Sequence, residues 1–210
     1  MPKEKLHLFH ATNNFQNIIR FGKIAVNPKV KRNKMVLKKP SGFIFSQLVF
    51  NDIVKYVKTD TLHWIGSCVI ELDIDLLKRY EFIICRIGGF DELINKSGKE
   101  LKTMENVYAY GRGNLKRMPS LKKAKQMIIN NVTQQNYIGA YMHSHEVLFK
   151  NDIPISLFKR ILVYNESVYK KIMTYMKKYK ISNVEVVLFP YQARTDTQMF
   201  INKLQELDNK

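Results

Sequence analysis

Acidic residues are scarce in this chain. Its 210 residues hold 18 Asp and Glu against 35 Lys and Arg, a formal net charge of +17. The deficit is local. Residues 5–51 carry nine basic side chains and no acidic one, and residues 106–145 carry six, again with no acid. Two such tracts point to a polyanionic partner and away from a basic one. Cysteine is nearly absent as well. Two cysteines are too few for a disulfide framework, and Cys68 and Cys85 lie in apolar runs (Cys68-Val69-Ile70, Ile83-Ile84-Cys85), which predicts buried free thiols in a reducing cytoplasm ahead of a single structural disulfide. No apolar run is long enough to span a bilayer, and Met1-Pro2-Lys3-Glu4-Lys5 has no signal-peptide pattern, so no membrane partner is expected. Neither GxxxxGK[ST] nor GxGxxG occurs, so Gly88-Gly89 and Gly111-Arg112-Gly113 are not phosphate loops of those types. Histidines 143 and 145 flank Ser144 beside Glu146, but no Cys cluster or His-Glu-x-x-His supplies further ligands, so no metal is expected.

What is present fits one domain over residues 1–210. Hydrophobic residues make up 45% of the chain, enough for a real core, and there is no repeat, linker or low-complexity stretch. Strands are predicted at Lys5–Thr12, Phe43–Ser46, Ser67–Leu72, Glu81–Ile87, from Glu146 onward, at Ile161–Tyr164 and at Val184–Phe189. Helices are predicted at Phe15–Phe21, ended by Gly22, near Asn51–Val57, at Asp75–Tyr80, Pro119–Asn131, Glu166–Tyr179 and Thr197–Leu207. Residues 90–118 read as irregular. Short strands and helices mix without regular βα alternation, so the class is α+β.

The basic tracts interleave aromatics: Phe43, Phe45 and Phe50 in the first, Tyr108, Tyr110, Tyr137 and Tyr141 in the second. Lysines and arginines that track phosphates, with rings on which unpaired bases stack, suit a single-stranded nucleic acid. The residues expected to meet it are Lys34, Lys38, Lys39, Arg112, Lys116, Arg117, Lys122 and Lys123.

Two segments adjoin these tracts. His10-Ala11-Thr12 ends a predicted strand, which places the imidazole and the hydroxyl on one side, where both could bond a ribose. Glu146 opens the run Val147-Leu148-Phe149 and is followed by Ile153-Pro154 and Ile161-Leu162-Val163. A lone carboxylate there suits the support of an oxocarbenium-like transition state. In order and type, His10, Thr12, Asn14, Phe15, Ile18, Ile19 and Gly22 at one end, and Glu146 with its downstream strand, proline turn, strand and helix at the other, resemble the DarT family of DNA ADP-ribosyltransferase toxins.

The resemblance implies an ADP-ribosyltransferase-like fold of two packed, split β-sheets with flanking helices. It implies NAD as co-substrate, held by His10, Ala11, Thr12, Asn14, Phe45 and Ser46. Catalysis would fall to Glu146, which stabilises the anomeric cation, and to Arg32, which faces the diphosphate. The acceptor would be a base in single-stranded DNA ahead of RNA, and the partner an antitoxin with ADP-ribosyl hydrolase activity. The chain departs from the family pattern in having no histidine between His63 and His143. RNA or protein as acceptor, a nucleic-acid-binding domain without catalysis, and a ribonuclease using His10 with His143 or His145 therefore stay open.

Overall fold

The computed structural model describes residues 6–26, 44–50, 66–85, 107–112, 126 and 145–209. The strands are β1 (Leu6–Thr12), β2 (Lys23–Ile24), β3 (Ile44–Phe50), β4 (Cys68–Leu72), β5 (Glu81–Cys85), β6 (Val107–Arg112), β7 (His145–Phe149), β8 (Ile153–Pro154), β9 (Phe158–Val163) and β10 (Glu185–Leu188). The helices are α1 (Phe15–Phe21), α2 (Leu76–Arg79), α3 (Glu166–Lys178) and α4 (Thr197–Asp208). Eight strands join in the order β10-β9-β4-β1-β3-β7-β5-β6, and β2 pairs with β8 in a separate two-stranded ladder. All pairs are antiparallel except β10 with β9, whose crossover passes through α3.

Interior position explains the composition of the strands. Strand β4 is buried along its whole length, and Leu8 and Phe9 of β1 are fully buried, because both strands have neighbours on each side. On the Phe9 face, α4 closes the core: Phe200 meets Phe9 edge-on at 5.4 Å and lies 5.6 Å from Phe189. Helix α3 starts where Asn165 accepts from the backbone N–H groups of Ser167 and Val168, with Glu166 in its first turn and Lys177 and Lys178 in its last. Helix α1 stops at Gly22, whose φ of 65° is the left-handed cap conformation that glycine adopts without strain.

Four expectations change. Residues 107–112, read as irregular, form β6; its pairing with β5 is a long-range contact that the short run Val107-Tyr108-Ala109-Tyr110 does not announce. Strand β3 runs on from Ser46 to Phe50 because Leu6–Phe9 of β1 supply its ladder. Strand β9 begins at Phe158 rather than Ile161, passing through Lys159 and Arg160, whose charges are met by Glu71 and Asp208, Arg160 inside the fold and Lys159 at its rim. Ile153-Pro154, expected as a turn, pairs with Lys23-Ile24, and Lys23 and Val26 are both tied to Asp152 at 2.7 Å. The helices predicted at Asn51–Val57 and Pro119–Asn131 lie outside the described residues, apart from Gln126, which is helical.

Candidate active site at the split of the sheet

The large sheet opens along its middle. Among the described residues the β1–β3 ladder runs from Leu6↔Phe50 to Phe9↔Gln47 and ends there. Beyond that rung β1 continues with β4 alone as far as Thr12↔Cys68, and β3 continues with β7 alone as far as Ile44↔Phe149. One half, β10-β9-β4-β1, thus parts from the other, β3-β7-β5-β6. The split expected from the family resemblance is there, inside one hydrogen-bonded order, and the second sheet is only the β2–β8 ladder.

Of the candidate residues that the structure describes, His10, Ala11, Thr12, Phe45 and Ser46 belong to the two strands that border this split, and Glu146 lies one strand behind. On β1, His10 and Ala11 are half-buried and Thr12 is buried. The end of β1 is fixed by its surroundings. Thr12 Oγ1 accepts the Asn14 backbone N–H at 2.9 Å, and the Thr12 carbonyl accepts the Ser67 N–H at 3.1 Å. Asn14 itself is exposed, and its Oδ1 accepts from Asn17 Nδ2 at 2.7 Å, so it does not cap α1 through its side chain. On the other lip Ser46 is buried, and its Oγ has no hydrogen-bond partner among the described residues. Phe45 is placed in the backbone of β3, opposite Leu148. Glu146, half-buried, is the Cα partner of Gln47 on one side and of Cys85 on the other.

Register decides which side chains share a face. Directly paired residues of an antiparallel ladder project together, and neighbours along a strand alternate. Phe9, Gln47 and Glu146 therefore form one row on one face, while His10, Thr12 and Ser46 turn to the other. The same-side expectation for His10 and Thr12 holds. Glu146 stands two strands from β1, roughly 10 Å away at a strand spacing of about 4.8 Å, and starts from the opposite face. One bound molecule can touch both faces only through a gap in the sheet, and the gap lies between them.

Arg32, Lys34, Lys38, Lys39, Lys116, Arg117, Lys122, Lys123 and His143 lie outside the described residues. Arg112 ends β6, the outer strand on the Glu146 side of the split, opposite Glu81. Cys68 is a free, buried thiol, and burial pushes it up to about 12 despite the Ser67 hydrogen bond, so it stays protonated and is no nucleophile.

A single glycine holds the Thr12 lip in place. Gly66 has φ of 123°, and a Cβ there would meet the Thr12 backbone oxygen at 2.7 Å. Neither the conformation nor the space admits a side chain. We expect Gly66→Ala to cost about 2 kcal/mol or more in urea unfolding, through backbone strain and the displaced carbonyl. A loss under about 0.5 kcal/mol would mean that Thr12 and Gly66 separate freely.

Sequence reasoning missed two features. Gln47, the partner of Glu146, carries no local signal. A second group, His7, Glu71, Lys159, Arg160 and Asp208, was signalled by charges inside apolar strands (Val69-Ile70-Glu71-Leu72, Arg160-Ile161-Leu162) but was not drawn together.

Residues 111–196 match the sequence model of a family described as "ssDNA thymidine ADP-ribosyltransferase, DarT". No curated protein matches. Among solved structures, DarT of Thermus sp. 2.9 in complex with carba-NAD+ is similar at 13% identity, covering 91% of this chain and 98% of that one, with a TM-score of 0.53. The same Thermus protein in complex with ADP-ribosylated ssDNA matches at 14% identity over 89% of this chain and 95% of that one, TM-score 0.49. DarTG of Thermosipho africanus in complex with ADP-ribose matches at 12% identity over 88% of this chain and 50% of that one, TM-score 0.47. The α+β fold is similar to that of Thermus DarT over 91% of the chain, and the sequence is similar to the DarT family over residues 111–196.

Proposed function

We propose that residues 1–210 act as one NAD-dependent ADP-ribosyltransferase domain that modifies a nucleobase in single-stranded DNA. The observation that carries this reading is the position of Glu146. It is the second residue of β7, inside the family-matched segment and one strand from the split of an ADP-ribosyltransferase-like sheet. In the reaction the bond between nicotinamide and the ribose anomeric carbon breaks, and a new bond forms from that carbon to the base. Nicotinamide leaves with the electron pair of the broken bond, and the base releases one proton. Positive charge builds on the ribose in between, and a fixed carboxylate stabilises it.

The donor set suits a dinucleotide rich in ribose hydroxyls. His10 and Thr12 stand on one lip and Ser46 on the other, with Glu146 reached through the gap. Thr12 Oγ1 already accepts from Asn14, which leaves its own proton to donate. Arg32 is assigned to the diphosphate because a guanidinium forks onto phosphate oxygens where an ammonium does not. A base buried in a duplex cannot reach a pleated cleft, so an unstacked single strand is the fitting acceptor. The acidic deficit of the two tracts supports the same acceptor. Arg112 opens the second tract on the Glu146 side of the split. As a toxin the enzyme would be paired in the cytoplasm with an antitoxin that hydrolyses the ADP-ribosyl bond.

Mass spectrometry of single-stranded oligonucleotides incubated with NAD tests the reading. An ADP-ribosylated base is expected. Oligonucleotide cleaved without NAD, or bound and left unmodified, would replace it with the ribonuclease or the binding module. Binding is expected to weaken with salt, by about −0.7 in the slope of log K against log salt for each phosphate contact. Exchanging Lys34, Lys38, Lys39 and Lys122 for Gln should flatten the slope by roughly two to three units. A slope near zero in the unaltered protein would send the search to protein acceptors.

A further inference from the structure

Strand β3 carries a residue that the reading above leaves without a role. Gln47 is the direct cross-strand partner of Glu146, and it also occupies the last rung before the sheet parts, opposite Phe9. Its described neighbours on that face are Phe9, Val49 and Leu148, with His7 opposite Val49. Phe9 and Val49 are at most 1% exposed, as is Leu148, two residues along from Glu146. Gln47 is half-buried, so its carboxamide is partly removed from bulk water. Polar groups so placed need partners, because an unmet one costs the desolvation of the group. Cross-strand partners hold their Cβ atoms about 4.5–5.5 Å apart, within reach of an amide N–H to carboxylate bond.

We propose that Gln47 is a positioning residue for Glu146: its carboxamide N–H donates to one carboxylate oxygen in the NAD-loaded enzyme and turns the other toward the anomeric carbon. The inference rests on Glu146 acting as described above. A carboxamide fits the task better than the alternatives. It donates to the carboxylate without carrying charge, so it fixes orientation while leaving Glu146 its full charge for the transition state. A Lys there would neutralise that charge, and a Glu would repel it. The location matters equally. Because the β1–β3 ladder ends at this rung, the residues of β3 before Gln47 pair with β7 alone, and those after it pair with β1, with β7 added only at Leu48. The side chain stands where the rigid half-sheet meets the gap.

The test uses the full chain, with nicotinamide release and DNA modification measured from pH 4 to 9. Gln47→Leu keeps the volume and suits the apolar neighbours. It is expected to lower kcat by about ten- to a hundredfold, the loss of a hydrogen bond to a charged group, with KM for NAD changed less than about threefold. Gln47→Glu is expected to move the acid limb of the kcat profile upward by about one pH unit or more, since a second carboxylate raises the pKa of the first. Gln47→Asn, one methylene short, should fall between Leu and the unaltered enzyme. Unchanged kcat in a Gln47→Leu protein with normal thermal unfolding, or an unmoved acid limb in Gln47→Glu, overturns the assignment and leaves the enzymatic reading intact. Absence of nicotinamide release from the unaltered protein removes both. A Gln47→Leu protein that loses NAD binding and kcat together would place Gln47 on the donor instead.

Discussion

Glu146→Gln is expected to abolish nicotinamide release and ADP-ribosyl transfer, by about a hundredfold or more, in a protein that unfolds at the same temperature as the original. The two halves of this expectation have different causes. The fold should be indifferent because the residues that anchor β7 are its successors: Val147, Leu148 and Phe149 are at most 1% exposed, and the Gln side chain keeps the volume of Glu. Chemistry should not be indifferent, because the ribose becomes cationic as nicotinamide departs. A preorganised negative charge in a half-buried position stabilises that state, and a neutral amide does so far less. NAD affinity should change little, since the ground-state ribose hydroxyls can still bond the amide. A Glu146→Gln enzyme with normal kcat would strip Glu146 of its role. The proton-accepting or charge-stabilising group would then have to come from the other lip, where His10 stands.

The parts of this fold that could be read from the chain are those with local causes. Helix α1 follows from an apolar stripe at Phe15, Ile18 and Ile19 and a left-handed Gly22. Helix α3 follows from an Asn165 cap and lysines at its end. Strands β4 and β7 are built on the apolar runs Cys68-Val69-Ile70 and Val147-Leu148-Phe149, as interior strands require. The parts that could not be read have distant causes. Strand β6 exists because β5 offers it a ladder, and β2 and β8 are two residues each, held by one another and by Asp152. Strand β9 runs through Lys159 and Arg160 only because Glu71 and Asp208 wait on neighbouring elements. For the site, Glu146 and His10 were legible as polar residues at the ends of apolar strands. Their relation was not. The end of the β1–β3 ladder at Phe9 and Gln47, which creates the split and puts Gln47 beside Glu146, is a matter of register between segments about forty residues apart, and no local pattern encodes it.

The charges that let β9 through lead to the second large effect, on stability. Arg160 is 3% exposed and lies between two carboxylates, Glu71 at 2.5 Å through Nε and Asp208 through Nη2. The Nε contact is an ion pair rather than a well-aligned hydrogen bond. Lys159 Nζ reaches the same two carboxylates at 3.2 and 3.0 Å from the rim. His7 Nδ1 lies 2.8 Å from Glu71 Oε1; the ionised carboxylate only accepts, so this nitrogen carries the hydrogen. His7 also stacks on Phe9, 5.7 Å between centroids. Asp208 ends α4, where the helix dipole disfavours a negative charge, so the cations of β9 hold the C-terminal end of the helix down.

Arg160→Met is therefore expected to destabilise the protein by about 3–5 kcal/mol in urea unfolding, because it leaves two carboxylates short of their main cation. Adding Glu71→Leu to it should recover a large part of that loss, since an apolar replacement of a buried pair is often neutral. Acid should act along the same line. Burial raises the Glu71 carboxyl, but His7, Arg160 and Lys159 together bring it below its usual range, and Asp208 is brought to about 2 by Arg160 and Lys159 against its own desolvation. A carboxyl depressed in the folded state contributes stability that is present above its unfolded value and is lost as pH falls through the folded one. For Asp208 that window runs from 3.8 down to about 2. The original protein should lose stability across it, and Arg160→Met should lose less there, having less depression to surrender. A cost below about 1 kcal/mol for Arg160→Met, with an unchanged acid profile, would show that water enters the cluster and that α4 is held by its apolar face alone.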